Sequence, residues 1–135
     1  MSWPDQSPVL VSRTKLTSAQ VLTLFSTPVT LIPAVSGMFI RPLQITLNYN
    51  FVTTAYNATA GNILVRNVGG AWHTVSASGF WNQTSSQVQS RTFSNYGASV
   101  TNSTTALQIS EDTANPTTGD GTLTVTVHYV LIPVN

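Results

Sequence analysis

Two histidines, His73 and His128, and four carboxylates, Asp5, Glu111, Asp112 and Asp120, are the side chains of this 135-residue sequence that could do acid–base or metal chemistry. Cysteine is absent, which excludes a thiolate nucleophile, a thiolate metal site and a disulfide framework. A general base needs an orienting partner and, as a rule, a nucleophile within reach. His128 falls on the threonine face of the last strand, and His73 follows Trp72 in a hairpin arm. Structural or exposed roles are expected for both. Two histidines and a carboxylate can hold zinc, but none of the usual local ligand spacings is present. Glu111, Asp112 and Asp120 share one long connection, yet it lacks the alternating acids of a calcium loop. Asp120, in Gly119-Asp120-Gly121, reads as turn chemistry. Nor is there a poised pair of carboxylates for glycoside hydrolysis. The expectation is a non-enzymatic protein with no cofactor and no metal.

The elements that would position any site must therefore be read for another purpose. Charged residues make up 7% of the chain, against about 25% in ordinary soluble domains, and the formal net charge is +1. Thr, Ser and Asn stand where charges usually do. Arg13, Lys15, Arg41, Arg66 and Arg91 are scattered, apart from the first pair, so no basic patch for nucleic acid is expected. A surface of hydroxyls and amides loses its water at less cost than one of ions. Little net charge also removes the repulsion that keeps copies apart. Both features suit a protein packed against other protein. The start, MSWPDQSPVL, has no basic segment or long apolar core, so no secretory leader is expected, and no run approaches the ~20 apolar residues of a membrane span. The sequons at Asn57, Asn82 and Asn102 are expected by chance in so Asn-, Ser- and Thr-rich a chain.

Along the chain, PVLVSR (8–13) reads as a short strand or arm after a tail that carries Trp3. Residues 16–25 form the expected helix. Thr17 caps it and Gln20 completes a capping box, with Val21, Leu24 and Phe25 on one face. Pro28 prevents its continuation. Strands are expected over 28–34, 38–51, 62–68, 71–77, 88–94, 104–110 and 122–132, with a hairpin turn at Gly69-Gly70. Pro42 implies an edge or a bulge in the long second strand of that series. Residues 79–87 read as a helical turn or a loop. The domain division is an amino-terminal arm and first strand, 1–15, and one sandwich domain, 16–135. Eight or so short strands without alternating helices argue for an all-β, antiparallel sandwich with one short helix. A jelly roll and an immunoglobulin-like sandwich both fit.

LTSAQVLTLFSTPVTLIPAVSG (16–37) resembles the amino-terminal signature of small virion proteins of tailed bacteriophages, through Leu16, Thr17, Ser18, Leu24, Thr27, Pro28, Val29 and Gly37. PTTGDGTLTVTVHYVLIP (116–133) is similar to the closing signature of the same group, through Gly119, Asp120, Gly121, Leu123, Val125, Val127 and Tyr129. SASGFWNQT (76–84) is a weaker middle match. The sequence departs from the group at Val35 and Ser36, where a Pro-Gly or Gly-Ala turn is more usual. The resemblance implies a jelly-roll head decoration, or cement, protein. It would be made in the host cytoplasm and form trimers on the outer capsid surface that clamp the major capsid protein.

The last strand bears on that reading. Leu123, Val125 and Val127 alternate with threonines, but Val130 and Ile132 turn the polar face apolar. A loop or the amino-terminal arm could cover them; a neighbouring copy is the favoured cover. Trp3, Trp72 and Trp81 are candidate anchors at the subunit or capsid interface, together with Val130 and Ile132. A second class of function, a tail-fibre or host-recognition module binding carbohydrate, would use Trp72, Phe80, Trp81 and Tyr96 as a stacking platform. The expected partners are the protein itself and the major capsid protein, with no nucleic acid and no membrane.

Overall fold

A computed structural model of the protein describes residues 8–57, 61–67, 70–93 and 104–134. Among the described residues, eight strands and one short helix follow in the order β1 (Leu10–Leu16), α1 (Ser18–Val21), β2 (Val29–Ile32), β3 (Met38–Asn50), β4 (Asn62–Asn67), β5 (Gly70–Ser76), β6 (Gln87–Thr92), β7 (Leu107–Glu111) and β8 (Thr122–Pro133). They form two four-stranded antiparallel sheets, β1-β8-β3-β6 and β2-β7-β4-β5. The pairings β1·β8, β2·β7, β3·β6 and β4·β5 are those of one long hairpin rolled up on itself. That is the jelly roll, and it decides against the immunoglobulin-like order.

Alternation builds the core. Leu123, Val125 and Val127 of β8 and Ile45, Leu47 and Tyr49 of β3 face inward from the first sheet. Ile63, Val65, Leu107 and Ile109 answer from the second. Pro42 sits where β3 shifts register against β8, and β6 pairs with β3 only from Gln44 onward. The proline thus occupies a bulge in a segment that β6 leaves uncovered, where its missing N–H costs little. The bulge reverses parity: Ile40 and Pro42 point inward before it, Ile45 and Leu47 after it.

The helix is shorter than its pattern. The capping box forms as expected, with Thr17 Oγ1 accepting from Gln20 N and Gln20 Oε1 accepting from Thr17 N. Helix ends at Val21, and tighter turns follow, with Leu24 N donating to Val21 O at 3.2 Å. Thr23 and Ser26 hydroxyls take up local carbonyls, and Asn115 Oδ1 accepts from Phe25 N and Ser26 N. These bonds compete with helix continuation. Val21 and Leu24 stay buried while Phe25, out of phase, is 46% exposed.

The loops at one end are pinned together. Asp120 Oδ1 accepts from Thr53 N and Thr54 N, Thr53 Oγ1 donates to Asp120 Oδ2, and Asp120 N donates to Thr54 O. Tyr56, packed on Trp81 with ring centroids 5.4 Å apart, donates its buried hydroxyl to Gly121 O at 2.5 Å. Burial and nearby Tyr49 and Asp120 raise its pKa, so it stays a donor. Tyr56→Phe should strand the Gly121 carbonyl and lower stability by about 1–2 kcal/mol, read as a shifted urea midpoint with an unchanged slope.

Candidate functional site

Among the described residues the titratable side chains are not gathered into a reaction centre. His73 and Glu111 both face the interior of the second sheet, His73 opposite Val65 and Glu111 opposite Ile63. One intervening strand and a two-residue offset place their backbones about 12 Å apart. Neither imidazole nitrogen of His73 has a partner; burial, then the nearby Arg91, lowers its pKa and keeps it neutral. Glu111 is 4% exposed and neither carboxyl oxygen is hydrogen-bonded. Burial pushes its pKa up to about 8; the Asp112 backbone N–H pulls it down without reaching hydrogen-bond geometry, and the Asp112 charge raises it. Asp112 and Asp120 have lowered pKa values because their loops donate to them, Asn62 first for Asp112 and Thr53 first for Asp120. Among the described residues no group of three or more His, Asp or Glu is placed to share a metal ion.

The aromatic residues are placed otherwise than expected. Trp81 and Phe80 are fully buried and Trp72 is 4% exposed. A register shift between Val65 and Arg66 lets consecutive Trp72 and His73 both turn into the interior. Trp72 packs edge-on against Phe93, with centroids 5.5 Å apart. Trp72 and Trp81 are therefore core residues and not surface anchors, and with Phe80 they cannot present open ring faces to a sugar. Trp3 and Tyr96 lie outside the described residues.

The remaining candidates define a surface. On β8 the inward row runs through Val127 to Tyr129 and Leu131, which pack on the core. The outward row is Thr122, Thr124, Thr126, His128, Val130 and Ile132. Val130 stands opposite Arg41 of β3, and Ile132 opposite Phe39. His128 stands between Gln44 of β3 and Val11 of β1, and Val11 is 59% exposed. Val130, Ile132 and Phe39 are each half-buried. β1 pairs with β8 as far as Leu10, opposite Tyr129, and among the described residues no strand continues beside this end of β8 on that flank. The outer face of the first sheet thus has an apolar end, made by Phe39, Val130, Ile132 and Val11, and a hydroxyl-rich end of Thr46, Thr124 and Thr126.

Arg13, Lys15 and Arg41 also face outward on this sheet, opposite Thr126, Thr124 and Val130. Sequence reasoning missed that they share a face. The two-residue spacing of Arg13 and Lys15 on a strand was a usable signal; Arg41 joins them only through the register of β3 on β8.

No protein-family model and no curated protein matches the sequence. Among solved structures, a chain of the cyanophage Pam1 capsid asymmetric unit shares the fold. The likeness covers 94% of this chain and 86% of that one, at a TM-score of 0.53 and 24% identity.

Proposed function

We propose that the protein is a non-enzymatic structural component of a bacteriophage particle that decorates the outer capsid surface as a homo-oligomer, a trimer by resemblance, and stabilises the shell. The observation that carries this reading is the nearly end-to-end likeness to a chain from a capsid asymmetric unit. The half-buried outer end of β8 supports it. Val130 and Ile132 are already half-buried, so covering what remains of them with a second copy is worth about 1–2 kcal/mol before ordering costs. A molecule so poor in ions offers a contact that salt has little means to weaken. Stabilisation would then follow from linkage, since a protein that binds only the assembled lattice favours that lattice. The burial of Trp72, Phe80 and Trp81 takes three of the four stacking candidates from the carbohydrate-binding alternative.

Sedimentation velocity tests the assembly. Wild type is expected to remain oligomeric at about 1 M salt, where the Debye length is only about 3 Å. Val130→Ser with Ile132→Ser is expected to give a folded monomer, because both side chains leave the inner face of β8 untouched. A wild-type monomer would count against the contact. Mass analysis of density-banded particles tests the location: the chain should co-band in fixed ratio to the major shell protein.

A further inference from the structure

Arg13, Lys15 and Arg41 are three of the five basic residues of the chain, and all three face outward on the first sheet. Arg13 and Lys15 are exposed. Two residues apart on one strand, they stand about 7 Å from each other. The acids go elsewhere. Glu111 is inside the sandwich. Asp112 is held by Asn62 and Thr113, and Asp120 by Thr53 and Thr54, in the loops at the end of the sheets. Among the described residues no carboxylate lies on this face. Like charges side by side on a strand oppose each other until something answers them. The threonines between them, Thr124 and Thr126, give up water at less cost than ions would.

We propose that the Arg13–Lys15 strip of β1 is the docking surface for a different protein chain, one that presents carboxylates about 7 Å apart beside uncharged residues. This rests on the shell-binding reading for where the partner is found, and it gives the two ends of the face separate tasks. The apolar end of β8 meets a sister copy, and the basic strip meets the acidic partner. The occupant is a protein and not a nucleic acid, because phosphate backbones are held by dense arrays of Lys and Arg, and this strip offers two cations beside exposed Val11 and the threonines of β8.

The test is a titration of full-length protein with poly-L-glutamate at about 0.1 M salt, followed by backbone amide NMR. Shifts are expected on β1 and the facing residues of β8. The double variant R13E/K15E should bind roughly tenfold more weakly or worse, while its oligomeric state and melting temperature stay those of wild type. Four results would overturn the proposal: no binding by wild type, shifts centred elsewhere, tenfold tighter binding of duplex DNA at equal charge concentration, or loss of the oligomer in R13E/K15E. The last would place the strip between copies. A simple acidic polypeptide needs no shell, so this result and the particle-location result can fail independently.

Discussion

Glu111→Gln is expected to make the protein more stable than wild type at pH 9, by up to about 5 kcal/mol. The Glu111 carboxyl has a pKa of about 8 in the fold, against an ordinary 4.5. The folded state therefore keeps its proton where the unfolded chain has lost it. Stability from this group is complete below about pH 4.5 and falls as pH rises to about 8, after which it levels off. At roughly 1.4 kcal/mol per pH unit, the whole span is about 5 kcal/mol. His73 acts in the opposite sense. Its lowered pKa means that the unfolded state gains protons first, so its contribution declines as pH falls below its ordinary value of 6.5. Between pH 6.5 and 8 only Glu111 should matter of the two, and wild type should lose about 2 kcal/mol there. Gln keeps the size of Glu and cannot ionise, so the variant's stability should be flat across that window. Urea titrations of both proteins at half-unit pH steps check this. Parallel curves for wild type and variant would show that Glu111 is solvated or partnered in solution.

Replacing Gly119 by Ala should be the most damaging of the small glycine changes. Gly119 has φ +130°, which side-chain-bearing residues rarely adopt, and a Cβ there would overlap the Tyr56 ring. That ring is held by Trp81 on one side and by its hydroxyl bond to Gly121 O, so it cannot step aside cheaply. Left-handed backbone and overpacking together should cost about 3 kcal/mol or more. Gly37 is the control. Its φ is +73°, but nothing lies within 4 Å of an added Cβ. Gly37→Ala should then cost about 1 kcal/mol, from backbone conformation alone. Thermal melts of the two variants separate the effects; equal losses would mean that the Tyr56 contact contributes nothing.

These sites show what the sequence could and could not convey. The Gly119-Asp120-Gly121 turn was legible because the residues' own conformational habits dictate it. Its role as a clamp on Thr53, Thr54 and Tyr56 was not, since those partners lie more than sixty residues away. Strand periodicity marked β3 and β8 well. Choosing between two sandwich types required the pairing order, which is nonlocal and leaves no periodic trace. Trp72 and Trp81 misled because aromatic residues serve cores and interfaces alike, and the bulge that turns Trp72 inward alters no residue pattern. Glu111 looked like one more loop acid; the strand instead ends on it, facing Ile63 and the interior. Val130 and Ile132 were readable as an anomaly because two outward positions in a threonine row are apolar.

The most direct test is cryo-microscopy of the particle that carries this chain, with the chain labelled. Jelly-roll density is expected outside the shell floor, in clusters whose members touch through Val130 and Ile132. Copies on the inner surface, or single copies with that end of β8 open to solvent, would contradict the shell-decoration account.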